Sequence, residues 1–175
     1  MSRFDTAIFD LDGTLLDTLQ DLADSTNYAL AVNHMPTRTV DEVRRFVGNG
    51  VALLMARAVP EGTPPEAEAK ALADFRAHYI NNMEHKTAPY PGIPELLGAL
   101  SAAGFHLAVV SNKFDGAVKG LCHNFFPDTI PVAIGESPSV AKKPAPDTVL
   151  RAMAELGCDP ARAVYIGDSD VDILT

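Results

Sequence analysis

Short apolar runs alternate with amphipathic patterns of helical period over the second half of the chain, and one further run lies near its start. Thr6–Phe9 is apolar and stops abruptly at Asp10, which is typical of a buried strand. Three more strands are predicted, at Phe105–Val110, Val132–Ile134 and Ala163–Ile166. Helices are predicted between them, at residues 93–103, 114–125 and 147–156. Strands that alternate with helices predict an α/β fold with a doubly wound parallel sheet, of the Rossmann-like type.

The stretch from Leu15 to about Met83 carries the helical period alone. Capping-box patterns at Thr39–Glu42 and Thr63–Glu66 predict two helix starts, the second with proline at the first helical position. Between them, the turn formed by residues 48–50 (Gly-Asn-Gly) interrupts the helical pattern. We therefore predict a helical domain that is inserted after the first strand.

These patterns predict two modules with definite boundaries. We place the α/β core at residues 1–14 and 90–175 and the helical cap at residues 15–89. Asp168–Thr175 has the pattern of the first turns of a helix. A natural domain would be expected to complete that helix, so we expect the C-terminal part of the core to be missing.

Composition narrows the classes of partner. The chain has 175 residues and a formal net charge of −9, which argues against a nucleic acid or an anionic membrane as partner because both would repel it. A site for a phosphorylated metabolite would need local positive potential from a metal ion, a lysine or a helix N-terminus. Cys122 and Cys158 fit no metal or redox spacing. Together with a start that lacks the apolar core of a signal peptide, they indicate a cytoplasmic protein. We expect a monomer or a homodimer, between which the sequence does not decide.

The sharpest chemical signal follows the first predicted strand, where Asp10 and Asp12 precede Gly13 and Thr14. Two carboxylates just beyond the end of a strand can point toward the same site if the chain turns sharply, and glycine permits that turn. Asp10 would then be a nucleophile that forms an aspartyl-phosphate, and Asp12 the acid and base for the leaving oxygen and for water. Gly13 would also let backbone N–H groups approach the substrate's phosphate, and Thr14 would form hydrogen bonds within the loop that binds it. The alternative is an acidic turn that caps the next helix.

Two further motifs are predicted to hold the substrate's charge. Ser111 and Asn112 follow a strand and precede a helix, so a hydroxyl and a backbone N–H there could hold a phosphate oxygen. A simple helix N-cap is the alternative for them. Lys143 precedes a proline-rich turn and would neutralise the oxygens crowded around Asp10. The alternative for the Lys142-Lys143 pair is a solvated surface.

A metal site is predicted from the acidic residues that follow the last strand. Mg²⁺ prefers oxygen ligands, and Asp10 and Asp168 would bind it directly together with the backbone carbonyl of Asp12. Asp172, one helical turn beyond Asp168, would orient a metal-bound water. Asp10, Ser111 and Asp168 lie at the ends of predicted strands, where ligands of doubly wound sheets bind.

Taken together, these motifs resemble the four successive motifs of the haloacid dehalogenase superfamily, over the whole chain. The segments Phe46–Val51, Tyr90–Gly92 and Tyr165–Ser169 look like those of phosphoglycolate phosphatases. The resemblance implies a magnesium enzyme that hydrolyses 2-phosphoglycolate, with Gly48, Asn49 and Gly50 in a substrate-specificity loop of the cap.

Alternatives remain open for the reaction and for recognition of the substrate carboxylate. Another phosphatase, a phosphosugar mutase and a non-enzymatic phospho-receiver module share parts of the pattern. The acid at Asp12 disfavours a dehalogenase, because release of halide needs no proton donor. Arg44 and Arg45 could bind a substrate carboxylate or could simply be solvated, and the backbone N–H groups of Asn49 and Gly50 could form an anion nest.

Overall fold

The computed structural model describes residues 3–175, and the chain divides into two compact units. The first unit contains the chain up to Asp17 together with Ala88–Thr175, and the second is Thr18–Thr87. The second unit is a few residues shorter at each end than the cap expected at residues 15–89. The reason is that Leu16–Asp17 pairs with Ala88–Pro89 as two antiparallel strands, which extends the first unit at both connections.

The first unit is built on a parallel sheet. Its strands are β1 (Thr6–Phe9), β2 (Leu16–Asp17), β3 (Ala88–Pro89), β4 (His106–Phe114), β5 (Val132–Glu136) and β6 (Ala163–Ile166). Four of them form one sheet in the order β5-β4-β1-β6, in which every neighbouring pair is parallel. β2 and β3 form the separate antiparallel pair. This sheet confirms the predicted α/β fold class and brings the carboxyl ends of β1, β4 and β6 to one edge.

Helices surround the sheet in the first unit and make up most of the second. They are α1 (Leu19–Val32), α2 (Val40–Phe46), α3 (Val51–Ala58), α4 (Pro65–Tyr79), α5 (Ile93–Ala102), α6 (Asp115–Phe125), α7 (Asp147–Leu156) and α8 (Asp170–Leu174). Alternate residues of β4 and β5 pack with β1 and α7. The buried apolar cluster that they form contains Ile8, Ala108, Val110, Val132, Ile134, Val149 and Ala152. Among residues 3–175, no helix has the length and apolar character that a membrane crossing needs.

The end of β4 differs from the prediction. The strand continues beyond Val110 to Phe114, with a break in its pairing to β5 between those two residues. Ser111 and Asn112 therefore lie in extended backbone, and the residue that caps α6 is Phe114. Both residues are buried, and the Asn112 side chain is held by the backbone of Lys143, which is distant in sequence.

The second unit consists of α1 to α4 around its own apolar core. Thr39 caps α2 with the predicted capping box, because its hydroxyl accepts from the Glu42 N–H while the Glu42 carboxylate accepts from the Thr39 N–H. The capping box predicted at Thr63 is wrong. The Thr63 hydroxyl donates instead to the Pro60 carbonyl, and α4 begins at Pro65, one residue later than a cap at Thr63 implies, although its first residue is a proline.

Candidate active site

Asp10 follows β1 directly and is buried, with 8% of its surface exposed. Its backbone N–H donates to the Ile166 carbonyl of β6 over 2.8 Å, and its Oδ1 accepts from the Leu11 N–H over 2.7 Å. Burial raises the pKa of Asp10 to about 6, although the neighbouring ammonium of Lys143 opposes the rise. A buried carboxyl that ionises near neutral pH and is fixed by the sheet is suited to nucleophilic attack.

Lys143 connects the carboxylates of two distant segments. Its Nζ lies 3.0 Å from Asp10 Oδ1 and 2.6 Å from Asp172 Oδ1, and 2% of its side chain is exposed. It also donates to the Tyr165 hydroxyl over 2.9 Å. The solvated surface considered for the Lys142-Lys143 pair applies to Lys142, which is exposed, and not to Lys143.

Asp172 is held by donors on both of its carboxylate oxygens. The Tyr165 hydroxyl donates to Oδ1 over 2.8 Å, and the Ser169 N–H and hydroxyl donate to Oδ2 over 3.0 and 2.6 Å. Burial alone would raise the pKa of Asp172, but hydrogen bonds from Lys143 and Ser169 outweigh it and hold the pKa below its usual value. Asp172 is therefore a fixed anion beside Lys143.

Three carboxylates form a group suited to a divalent cation. One oxygen each from Asp10, Asp168 and Asp172 lies within 4.8 Å of the others. Asp168 is exposed, and its Oδ1 accepts from the Thr14 hydroxyl over 3.2 Å. Hard oxygen donors in such a cluster are the ligands that Mg²⁺ prefers, so the residues fit the predicted metal. The Asp12 carboxylate lies outside this group, and binding of the ion by its backbone carbonyl stays a prediction.

Gly13 makes the close approach of Asp168 possible. Its φ is +84°, and a Cβ added at this position would lie 2.4 Å from Asp168 Oδ2. A side chain would therefore meet both an unfavourable backbone conformation and a carboxylate.

We expect Gly13→Ala to weaken magnesium binding at least about tenfold, because the methyl group displaces Asp168 from the cluster. Isothermal titration calorimetry of the purified variant with magnesium measures this affinity. Gly98→Ala, in an open position of α5, is the control and should bind the ion normally. Unchanged affinity in Gly13→Ala would contradict the placement of Asp168 at the metal.

Ser111 and Asn112 are buried at the carboxyl end of the sheet. The Ser111 hydroxyl accepts from the Lys113 N–H over 3.3 Å. The Asn112 amide forms two hydrogen bonds with the backbone of Lys143, donating to its carbonyl over 3.0 Å and accepting from its N–H over 2.8 Å. The structure thus places Asn112 as a support of Lys143, and contact of either residue with substrate stays a prediction.

The remaining predicted site residues, Gly48, Asn49 and Gly50, form the turn between α2 and α3 of the second unit. Arg57 braces this turn, because it donates to the Phe46 carbonyl over 3.1 Å and to Asn49 Oδ1 over 3.4 Å. The role of the turn in specificity stays a prediction.

Arg44 and Arg45, the arginines considered for carboxylate binding, are exposed near the C-terminal end of α2. Arg44 pairs with the exposed carboxylate of Asp41, and Arg45 donates to the Asp41 carbonyl over 3.2 Å. Their surroundings are those of solvated helix arginines.

Two residues at the site were missed by the sequence interpretation. Lys113 places its Nζ 3.0 Å from Asp12 Oδ1, and Tyr165 bridges Lys143 and Asp172. Lys113 lies beyond the predicted end of its strand at Val110, so the sequence interpretation placed it in a loop and gave no signal of its burial. The hydroxyl of Tyr165 carried no sequence signal, because tyrosine is common in strands.

Comparison with known proteins gives one consistent family. Residues 7–175 match the family model described as haloacid dehalogenase-like hydrolase. Phosphoglycolate phosphatase from Aquifex aeolicus is 34% identical over 95% of this chain and 76% of its own length. The enzyme of that name from Agrobacterium fabrum is 38% identical over 96% and 74%. The crystal structure of a predicted phosphoglycolate phosphatase from Haemophilus somnus superposes with a TM-score of 0.90, at 32% identity, over 99% of this chain and 81% of that one.

Proposed function

Because the chain belongs to the haloacid dehalogenase-like hydrolases, we propose that it hydrolyses 2-phosphoglycolate to glycolate and phosphate through an aspartyl-phosphate on Asp10. Its similarity to these phosphatases identifies the chain as a phosphoric monoester hydrolase. The observation that carries the proposal is the buried ion pair of Asp10 and Lys143 beside two further carboxylates, Asp168 and Asp172.

The first half of the reaction transfers the phosphoryl group to the protein. A carboxylate oxygen of Asp10 attacks phosphorus, and the bond between phosphorus and the ester oxygen breaks. The leaving oxygen takes a proton from Asp12, so that glycolate departs as an alcohol rather than an alkoxide. A pKa of about 6 keeps Asp10 largely ionised at neutral pH.

The second half returns the protein to its starting state. Asp12, now a carboxylate, takes a proton from a water molecule as the water oxygen attacks phosphorus. The bond between phosphorus and the Asp10 oxygen breaks and inorganic phosphate leaves. Asp10 is again a carboxylate and Asp12 again carries the proton, so the atoms and charges balance over one turnover.

Charge compensation explains how an acidic protein can bind a phosphate dianion at this place. Asp10 and Asp168 would hold Mg²⁺ with the backbone carbonyl of Asp12. Asp172 would orient a water molecule bound to the ion. When bound, the ion neutralises negative charge on the phosphoryl oxygens. Lys143 supplies a second, permanent positive charge beside Asp10.

A phosphate-release assay over a panel of small phosphate monoesters tests the proposal. We expect activity to require magnesium, to disappear with a chelator, and to favour 2-phosphoglycolate by at least about tenfold in kcat/KM over other esters. A phospho-receiver would instead take up one phosphoryl group per chain and stop. Equal rates over the panel would contradict the substrate assignment, and isomerisation of a phosphosugar without phosphate release would favour a mutase.

A further inference from the structure

Lys113 is a buried cation that the catalytic cycle described above leaves without a role. Its side chain is 2% exposed and its Nζ lies 3.0 Å from Oδ1 of Asp12, whose side chain is 15% exposed. Lys113 and Lys143 are the buried basic side chains in the part of the chain that the structure describes. Burying an ammonium group is unfavourable by several kcal/mol unless anions compensate it, and the contact with Asp12 supplies such an anion.

The two buried lysines contact different members of the proposed catalytic pair, Asp10 and Asp12. Lys143 contacts Asp10, the nucleophile, and therefore belongs to the side of the transferred phosphoryl group. Lys113 contacts Asp12, the proton donor to the leaving oxygen, and therefore belongs to the side of the leaving group. What distinguishes phosphoglycolate from a simple phosphate ester lies on that second side.

The dimensions of the substrate connect its carboxylate with Lys113. In phosphoglycolate one methylene carbon separates the leaving oxygen from the carboxylate. The leaving oxygen and the nearer carboxylate oxygen are therefore roughly 3 Å apart. A proton donor reaches the leaving oxygen over about 2.8 Å. A cation 3.0 Å from that donor is therefore within reach of the substrate carboxylate.

We propose that Lys113 binds the carboxylate of the substrate and so sets the preference for a carboxylated phosphate ester, an inference that rests on the proposed function. An ammonium group has three N–H donors and can serve Asp12 and a substrate oxygen together. The charges favour the same assignment, because the carboxylates of Asp10 and Asp168 would repel a substrate carboxylate that had no cation beside it. Recognition of the carboxylate then belongs to the first unit, and not to Arg44 or Arg45.

The test compares Lys113→Gln with the unsubstituted protein on two substrates, 2-phosphoglycolate and ethyl phosphate, which lacks the carboxylate. We expect the ratio of the two kcat/KM values to fall about 10- to 100-fold, mainly through a higher KM for 2-phosphoglycolate. Lys119→Gln is the control for loss of a lysine, because Lys119 is exposed on α6 and paired with Asp115; its ratio should not change.

The outcomes separate the two proposals. An equal loss on both substrates would show that Lys113 only positions Asp12 and would overturn the inference. A preference for 2-phosphoglycolate that survives in Lys113→Gln would overturn it as well, while leaving the proposed function intact. If the unsubstituted protein itself shows no preference, the substrate assignment fails, and with it the role of Lys113.

A second pair of variants covers the case in which Lys113→Gln does not fold because Asp12 loses its ion pair with Lys113. Asp12→Asn and the double variant Asp12→Asn, Lys113→Gln differ by the lysine alone, and the double variant removes both members of that ion pair. Calorimetry should show Asp12→Asn binding 2-phosphoglycolate at least about tenfold more tightly than ethyl phosphate, and the double variant binding them alike. Equal affinities already in Asp12→Asn would overturn the inference.

Discussion

Asp10→Asn is expected to lower magnesium-dependent phosphate release by more than about 1,000-fold, because an amide cannot act as the nucleophile. The same variant should melt a few degrees higher than the unsubstituted protein in the absence of magnesium at pH 7.5. Loss of function and gain of stability would then come from one substitution. Phosphate release and thermal unfolding measured on the same preparation check both parts.

The gain in stability follows from the sign of the pKa shift. Burial raises the pKa of Asp10 from 3.8 to about 6, so folding favours the protonated carboxyl. That contribution is fully present below the unfolded pKa and is lost as the pH rises through about 6. The advantage of Asp10→Asn should therefore be small at pH 4 and larger at pH 7.5.

Asp170→Asn makes the same change at an exposed position of α8 and is the control. It should retain its activity, and its melting temperature should follow that of the unsubstituted protein at both pH values. Near-normal turnover by Asp10→Asn would show that the nucleophile has been misassigned. A variant that is equally destabilised at both pH values would contradict the account of the pKa.

Lys143→Gln is expected to reduce the free energy of unfolding by about 3 kcal/mol, because it leaves Asp10 and Asp172 buried without their cation. Turnover should fall at least about 100-fold, since the charge beside the transferred phosphoryl group is also lost. Urea unfolding without magnesium measures the first effect, and the phosphate-release assay measures the second.

Lys142→Gln removes a lysine from the adjacent, exposed position and should change the free energy of unfolding by less than about 0.5 kcal/mol. Similar losses of stability in the two variants would indicate that the ion pairs of Lys143 contribute little. Full activity in Lys143→Gln would exclude it from the neutralisation of the substrate.

Much of the core could be predicted because its strands are marked by local patterns. Thr6–Phe9 and Ala163–Ile166 are apolar runs that stop at a polar residue, and both strands have the predicted bounds. β4 was predicted too short, because Ser111 and Asn112 have the composition of a strand end. Asn112 is bound by the backbone of Lys143, and local composition carries no information about a partner that is distant in sequence.

The site was predictable to the extent that the topology decides it. Asp10 and Asp168 come together because parallel strands deliver their carboxyl ends to one edge of the sheet. The pairing of Asp12 with Lys113 was not predictable in the same way. It depends on the direction of a long, flexible side chain, which neither the period of the pattern nor the spacing of residues determines.

The paired hydrogen bonds between the Asn112 side chain and the Lys143 backbone have a consequence for protein engineering. The amide group imitates a neighbouring peptide bond, offering one donor and one acceptor at the correct spacing. Aspartate would lack the donor, and glutamine would carry the same group one carbon too far. Libraries that seek new substrates should therefore keep this asparagine constant.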